Sequence, residues 1–103
     1  MRKTIILILF DLPTGTRELR RSYRRFRSEL RKLGYTMLQE SVYYKLLTNV
    51  SACADECGRV KKIAPPEGDV RFLPISLGGF LKMICITGTE FDFIGFLSPI
   101  IEI

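Results

Sequence analysis

The strongest constraint on the fold lies in the first 34 residues, where an apolar segment meets one acidic residue and then an arginine-rich segment. Residues 5–10 read Ile-Ile-Leu-Ile-Leu-Phe. Six apolar residues in succession, without alternation, predict a strand that is covered on both faces in the middle of a sheet. Asp11 follows where that strand must leave the core, and Pro13 breaks the strand. Either Thr14 or Thr16 is a suitable N-cap for a helix after this turn.

The predicted helix combines an apolar stripe with an excess of positive charge. Its apolar residues recur at steps of four and three, which predicts one buried face: Leu19, Tyr23, Phe26, Leu30 and Leu33. Gly34 is a usual residue at a helix end. Half of the chain's 16 basic residues lie in the same segment: Arg17, Arg20, Arg21, Arg24, Arg25, Arg27, Arg31 and Lys32.

Only Glu18 and Glu29 oppose these bases within the helix, so much of the positive charge is left for a partner. Arginine predominates, and its planar guanidinium group can bind a phosphate through two hydrogen bonds. We therefore expect a nucleic-acid partner that is bound through its phosphate backbone rather than through its bases. An arginine-rich face that is merely solvated is the alternative interpretation.

Composition bounds the remaining possibilities. A chain of 103 residues is expected to form one domain, and its net charge of +5 favours a polyanion. No apolar run reaches 18 residues and no signal peptide is recognisable, so we expect a cytoplasmic protein without a membrane partner. Because histidine is absent, a His-dependent triad is excluded. Three cysteines (Cys53, Cys57 and Cys85) cannot complete a four-ligand zinc site alone, so buried reduced thiols are expected.

The rest of the chain predicts an α+β sandwich. Residues 35–47 predict either one long strand bent near Glu40 and Ser41 or two strands. A helix that Ser51 can cap and that runs to about Lys62 follows, and then strands at residues 70–75 and 82–87. This order is that of a ferredoxin-like βαββαβ fold, an antiparallel sheet with two helices on one face plus an extra C-terminal strand. We assign residues 1–87 to this domain and expect the apolar tail, residues 88–103, to pack on a second subunit or a partner.

Asp11 is the candidate for chemistry, both as a catalytic residue and as a metal ligand. One carboxylate can hold Mg²⁺ (or Mn²⁺) while the ion keeps several waters. Phosphodiester hydrolysis commonly uses two carboxylates or two metal ions, and a two-fold homodimer would bring two copies of Asp11 together. The alternative is that Asp11 only ends the strand and caps the turn.

Four segments of the chain resemble one family, the small CRISPR-associated adaptation protein that partners the CRISPR integrase and is also known as a CRISPR-associated endoribonuclease. They are Asp11-Leu12-Pro13, Tyr-Arg-Arg-Phe-Arg at residues 23–27, Leu-Gln-Glu-Ser-Val-Tyr at residues 38–43, and the loop at residues 65–68. The loop looks most like members from systems with a single large effector nuclease. The resemblance covers residues 1–87 and does not extend to the tail.

The resemblance implies a ferredoxin-like homodimer, flanked by two integrase dimers, that captures a short duplex for insertion into a CRISPR array. It implies that Asp11 binds the metal of a Mg²⁺-dependent nuclease acting on RNA or DNA, and that Arg17 and Arg20 contact phosphates. Ser41 and Tyr43 match a stretch near the site. From the helix charge we add Arg21, Arg24 and Arg27 to the expected nucleic-acid contacts.

Three functions are therefore compared. The first is a spacer-acquisition subunit that binds duplex DNA and carries a metal-dependent endonuclease site, which can be idle when the protein acts as a scaffold. The second is a stand-alone RNA-cleaving toxin of the same fold, which would act without an integrase. The third, a small-molecule sensor, has no need for eight basic residues on one helix and is disfavoured. The sequence leaves the choice between RNA and DNA open.

Overall fold

The computed structural model describes residues 3–88, which form four strands and three helices. The elements are β1 (Thr4–Asp11), α1 (Arg17–Lys32), β2 (Thr36–Gln39), β3 (Val42–Leu47), a 3-10 turn (Val50–Ala52), α2 (Cys53–Ile63), β4 (Asp69–Ser76) and α3 (Leu77–Leu81). The strands form one antiparallel sheet in the order β2-β3-β1-β4. The predicted ferredoxin-like α+β fold is confirmed.

Strand β1 is central and has a hydrogen-bonded neighbour on each side, β3 and β4. Its residues Ile6 and Ile8 are fully buried in the core shared with α1 and α2, and Phe10 belongs to the same core. Ile5 is fully buried in a smaller core on the opposite face, where Phe80 of α3 contacts Tyr44 of β3. Coverage on both faces explains why this segment is apolar without alternation.

Helix α1 begins and ends where its sequence predicts. The Oγ1 atom of Thr16 accepts a hydrogen bond from the backbone N–H of Leu19 at 3.1 Å, so Thr16 rather than Thr14 is the N-cap. Gly34 follows the helix with a φ of +97°, a conformation that glycine adopts without strain. On the buried side, Phe26 packs edge-to-face against Phe10 of β1 with ring centroids 5.1 Å apart. The middle of α1 is thereby packed against the end of β1.

Residues 36–47 form two strands, which settles the alternative that the sequence left open. Strands β2 and β3 pair antiparallel, with the turn at Glu40 and Ser41 where a bend was expected and an irregularity between Met37 and Gln39. No glycine or proline was needed for this turn. The long apolar pattern is thus a hairpin whose second strand, β3, pairs with β1.

Helix α2 begins at Cys53, one residue later than a cap at Ser51 predicts, and it buries a charge. Asn49, not Ser51, accepts the capping hydrogen bond of the preceding turn, and α2 starts at Cys53. The Glu56 side chain is 1% exposed. Its carboxylate accepts hydrogen bonds from Lys45 Nζ at 3.0 Å and from Arg59 Nη1 at 3.1 Å. Lys45 Nζ also donates to the Leu33 carbonyl at 2.7 Å, which links α2 to β3 and to the end of α1.

The prediction of a strand at residues 82–87 is wrong. Gly78 and Gly79 do not break the chain but lie inside α3, whose N-cap Ser76 accepts a hydrogen bond from Gly79 N at 3.0 Å. A strand needs a hydrogen-bonded neighbour, and no strand among residues 3–88 pairs with this segment. Its apolar side chains are left outside the core, so that Ile84 and Ile86 are 82% and 90% exposed. The extra C-terminal strand is therefore not found up to residue 88.

The expectation of buried cysteines also needs correction. Cys85 is exposed, because the segment that contains it is not a strand of the sheet. Cys53 and Cys57 are half-buried thiols on α2. Within residues 3–88 no helix is long and apolar enough to cross a membrane. The packing expected of the tail lies outside the described residues.

Candidate functional site

Asp11 is the last residue of β1 and its side chain is exposed. Successive side chains of a strand alternate between the two faces, so Asp11 shares the face of Ile5 rather than the face that carries α1 and α2. In the antiparallel register Asp11 is paired with Asp69, the first residue of β4. A directly opposed pair has Cβ atoms about 5 Å apart. Two carboxylates are therefore close together at one end of the sheet, and their proximity depends on the register of β4 against β1.

Asp69 is held by an arginine from its own strand. Arg71 Nε donates to Asp69 Oδ1 at 2.9 Å and Arg71 Nη2 donates to Asp69 Oδ2 at 3.0 Å. This two-point hydrogen bond lowers the pKa of the Asp69 carboxyl below its ordinary value. Arg71 is two residues from Asp69 and thus on the same face as Asp11. Asp11, by contrast, has no ion-pair partner among residues 3–88.

Gly68 sets the close approach of β4 to the end of β1. Its φ is +88°, and a Cβ atom at this position would lie 2.7 Å from the Asp11 carbonyl oxygen. The same Cβ would lie 2.8 Å from Leu12 Cδ2. Only glycine satisfies both the backbone angle and the contact. The loop at residues 65–68 is therefore fitted against the residue that carries the candidate chemistry.

The two residues predicted near the site have different positions. The carbonyl of Ser41 accepts a hydrogen bond from Phe10 N at 3.1 Å, so Ser41 lies beside the end of β1 next to Asp11. Tyr43 is completely buried on the helix side of the sheet, where its ring contacts Phe10. The structure thus brings Ser41 to the Asp11 end, whereas Tyr43 lies in the core.

The exposed surface of α1 carries most of the predicted nucleic-acid contacts. Arg20 Nη1 donates to the carbonyl of Thr14 at 3.0 Å, which ties this guanidinium to the loop that follows Asp11. Six arginines of the helix are exposed: Arg17, Arg20, Arg21, Arg24, Arg25 and Arg31. None of the six makes an ion pair with a carboxylate within residues 3–88. We name these six residues the arginine face.

Arg27 differs from the arginine face because its guanidinium is engaged by the protein. Its Nε donates to the hydroxyl of buried Tyr43 at 3.0 Å, and its guanidinium carbon lies 5.6 Å from the centre of the Tyr23 ring. Nη2 lies 3.8 Å from Met37 Sδ. The hydrogen bond to Tyr43 raises the pKa of Arg27 above its ordinary value. Of the predicted nucleic-acid contacts, this side chain is the least available to a phosphate.

The donor set at Asp11 fits a small divalent cation only in part. An exposed carboxylate is the hard oxygen ligand that Mg²⁺ prefers, and Mg²⁺ in proteins is often held by one or two carboxylates plus substrate phosphates. The second carboxylate, Asp69, is occupied by Arg71. Within residues 3–88 no group of three histidine, cysteine, aspartate or glutamate side chains lies close enough to bind a metal. At this end of the sheet the described residues therefore offer one carboxylate without an ion-pair partner, Asp11, and a metal ion there would need further ligands such as substrate oxygens, water or a second copy of Asp11.

The arrangement offers a row of guanidinium groups along α1 to a polyanion, and it presents a carboxylate at the end of β1, on the other face of the sheet from α1. Sequence reasoning found both parts but missed Asp69 and Arg71, because their proximity to Asp11 depends on the register of β4. A signal was present: Asp69 follows the loop at residues 65–68, and an antiparallel β4 beside β1 places its first residues at the end of β1.

Comparison with known proteins gives one family. The model of the family described as CRISPR associated protein Cas2 matches residues 4–83. A protein of Campylobacter jejuni named CRISPR-associated endoribonuclease Cas2 is 41% identical over 83 residues, which is 81% of this chain and 58% of that protein. Proteins of the same name from Streptococcus mutans and Parvibaculum lavamentivorans are 40% and 38% identical. Those matches cover 81% and 82% of this chain, and 78% and 84% of the relatives.

The matched region contains the whole sheet, the arginine face, Asp11 and the Asp69–Arg71 pair. It also includes the loop at residues 65–68 and all of α3. The match therefore extends over every element that positions the site, and the chain belongs to the Cas2 family of CRISPR-associated proteins.

Proposed function

We propose that the protein is a CRISPR spacer-acquisition subunit that binds duplex DNA as a homodimer bridging integrase dimers, and that its Asp11 site is a metal-dependent endonuclease site. One observation carries the proposal: the central strand ends in a carboxylate without an ion-pair partner among residues 3–88, and the helix that follows carries an arginine face that makes no ion pair in the same range. The relatives' name supports phosphodiester cleavage, since each is called an endoribonuclease.

Nucleic-acid binding is assigned to the arginine face. Arg17, Arg21 and Arg24 recur at steps of four and three on an exposed side of α1, which spaces them along about two helical turns. Arg20 is held against the loop after Asp11, so a bound backbone that reaches the N-terminal end of α1 is brought towards the carboxylate. Contacts of this kind go to phosphates, so we expect little dependence on base sequence.

Hydrolysis is assigned to Asp11, with Mg²⁺ (or Mn²⁺) as the proposed cofactor. When bound at such a carboxylate, a divalent cation supplies charge neutralisation for the phosphate and activation of water. The protein's own part is to hold the carboxylate at a rigid strand end, flanked by Ser41 and by the Gly68 loop. The arginine face orients the backbone at that point. The proposed reaction breaks one P–O bond of a phosphodiester by addition of water, which leaves a phosphomonoester and a hydroxyl group.

The homodimer is supported by the sheet face that carries Asp11. On this face Leu73 of β4 is 44% exposed, and it is paired with Leu7 in the middle of β1. An exposed apolar residue on the sheet face that also carries Asp11 suits a two-fold interface that would pair two copies of Asp11. We further propose that residues 88–103 complete the interface with the second subunit or with the integrase, and that the assembly acts in the cytoplasm.

A stand-alone RNA-cleaving toxin remains the second candidate, and the name endoribonuclease carried by the relatives favours an RNA substrate. The two candidates share Asp11 and differ in the partner. Size-exclusion chromatography with light scattering, run on the protein alone, with a short DNA duplex, and with the integrase encoded beside it, separates them. The proposal predicts a dimer that enters one complex with duplex and integrase. A monomer, or a dimer that is never retained by integrase and duplex together, would contradict it.

A further inference from the structure

Arg71 stands next to the candidate carboxylate and is not accounted for by the proposed function. It is two residues along β4 from Asp69, which is itself paired with Asp11 across the sheet. All three side chains lie on the same face of the sheet by strand alternation. The Arg71 side chain is 76% exposed and the Asp69 side chain 50%. The positive charge of Arg71 therefore lies at the surface beside Asp11. It is on strand β4, whereas the arginine face is on helix α1.

The hydrogen bonds to Asp69 fix the guanidinium without exhausting it. A guanidinium has five N–H donors, and Asp69 takes one from Nε and one from Nη2. The remaining three, both on Nη1 and one on Nη2, point away from the Asp69 carboxylate by the planar geometry of the group. Such a fork matches two oxygens of a phosphate. Because one edge is already held, little side-chain freedom remains to be lost when a phosphate binds.

The charge at this end of the sheet also requires the arginine. Without Arg71, two opposed carboxylates would repel a phosphate from Asp11. With Arg71, the charge of Asp69 is compensated locally and only the carboxylate of Asp11 is uncommitted. An arginine that serves only to neutralise Asp69 would be an ordinary exposed ion pair, which contributes little to stability.

We propose that Arg71 binds a phosphate of the nucleic acid at the Asp11 end of the sheet, and that Asp69 is a positioning residue that holds the Arg71 guanidinium in place. The inference rests on the proposed function, because it names the group that receives the backbone beside Asp11. It adds a phosphate contact on β4 that is independent of the arginine face on α1. Gly68 supports this arrangement because it allows the start of β4 to approach Asp11 closely.

The test compares five variants with wild type: Arg71→Gln, Arg71→Lys, Asp69→Asn, Asp11→Asn and, as a charge-matched control, Lys61→Gln on the exposed side of α2. Two probes are used, a short DNA duplex and a single-stranded RNA. Binding is measured in EDTA, where metal plays no part, and cleavage is measured as kcat and KM with Mg²⁺. Circular dichroism and thermal unfolding verify that each variant is folded.

Loss of a charged hydrogen-bonding group typically weakens binding by roughly tenfold to a hundredfold. Arg71→Gln is expected to weaken binding in EDTA by about tenfold or more, and to raise KM more than it lowers kcat. Arg71→Lys should recover part of the loss, since the charge remains and the fork is lost. Asp69→Asn is expected to raise KM by a smaller factor, and Lys61→Gln should stay within about twofold of wild type.

Three outcomes would overturn the inference. Arg71→Gln could bind and cleave like Lys61→Gln, which would make the Asp69–Arg71 pair a surface ion pair only. Asp69→Asn could have the same effect as Asp11→Asn, namely a large loss of kcat with unchanged binding in EDTA. That result would make Asp69 a metal ligand. Wild type could bind neither probe in EDTA, which would remove the proposed function together with the inference. If cleavage depends on Asp11 while Arg71→Gln behaves like wild type, the proposed function is supported and the inference about Arg71 is wrong.

Discussion

Asp11 and Asp69 are paired residues of β1 and β4, and they differ because Asp69 is bound at two points by Arg71 while Asp11 makes no ion pair among residues 3–88. Their proximity is a consequence of strand register, and their difference is a consequence of one arginine two residues further along β4. The end of the sheet thus offers one carboxylate without an ion-pair partner among residues 3–88 beside one guanidinium held by hydrogen bonds. This is the feature on which the functional account depends.

The contact between Gly68 and the end of β1 gives the first prediction. Gly68→Ala should lower the free energy of unfolding by about 1–3 kcal/mol, because alanine is strained at a φ of +88° and its Cβ would lie 2.7 Å from the Asp11 carbonyl oxygen. Urea unfolding measures the loss. Any Mg²⁺-dependent cleavage should fall in the same variant, because relief of the contact displaces Asp11.

Gly15 provides the matched control for that substitution. It lies in the loop after Asp11, it has no positive φ, and a Cβ there would meet no atom within 4 Å. Gly15→Ala should therefore change the unfolding free energy by less than about 0.5 kcal/mol. Equal losses in the two variants would show that the Gly68 contact has no special role.

The arginine face gives the second prediction. Removal of two of its charges, in Arg21→Gln with Arg24→Gln, should weaken duplex binding and reduce the slope of log K against log salt by up to about 2, at roughly 0.9 per lost phosphate contact. The matched control is Lys61→Gln with Lys62→Gln, two exposed cations of α2. Titrations at several salt concentrations measure both slopes. A control slope that falls as far as the α1 slope would mean that binding follows net charge rather than this face.

The buried carboxylate of Glu56 gives the third prediction, which concerns stability. Glu56→Gln should destabilise the fold by roughly 3 kcal/mol, because it removes the charge that compensates Lys45, whose side chain is 24% exposed. Asp55→Asn is the control, since Asp55 is an exposed acid in the same first turn of α2 and should cost less than about 1 kcal/mol. Similar Tm values for the two variants would contradict the role given to Glu56.

Tyr35 gives the fourth prediction, on pH. Its hydroxyl is buried without a hydrogen-bond partner in the described part of the chain. Burial, with the neighbouring Glu56 charge, raises the pKa of the phenol above its ordinary value of 10.0. The unfolded chain therefore loses this proton first, so the contribution of Tyr35 to stability is constant below about pH 10 and declines above it by about 1.4 kcal/mol per pH unit.

Tyr35→Phe should remove that decline without loss of stability at neutral pH, because the substitution deletes an unpaired buried hydroxyl and keeps the ring. Chemical unfolding of both proteins between pH 8 and pH 11 measures the two slopes. Identical alkaline slopes, or a marked loss of stability at pH 7 in Tyr35→Phe, would be inconsistent with this account.

The elements with strong local signals were predictable from the sequence. The structure confirms the apolar run of β1, the apolar stripe of α1 and the glycine at the end of the helix, and it selects Thr16 from the two caps, Thr14 and Thr16, that the sequence allowed. Asp11 and the arginine face follow from the same segment, because they lie at the end of one element and on the polar side of the next. Local pattern was sufficient wherever sequence neighbours are also structural neighbours.

The remainder depended on contacts between distant segments. Residues 82–87 have a strand pattern, yet no described strand pairs with them, and Ser76 starts a helical turn that includes Gly78 and Gly79. The partners of Glu56 come from β3 and from its own helix, so its burial cannot be read from the period of α2 alone. The approach of Asp69 to Asp11 likewise requires the register of β4 against β1. Arg27 looked like its neighbours on α1 until the position of Tyr43 was known.

The central claim, that Asp11 is the essential carboxylate of a metal-dependent endonuclease site on a nucleic-acid-binding surface, is tested most directly by one assay. Labelled single-stranded RNA and duplex DNA are incubated with wild type and with Asp11→Asn, in Mg²⁺ and in EDTA, and binding is followed in the same samples. The account predicts cleavage only by wild type in Mg²⁺, with equal binding by both proteins in EDTA. Cleavage that survives Asp11→Asn, or binding that is lost in this variant, would contradict it.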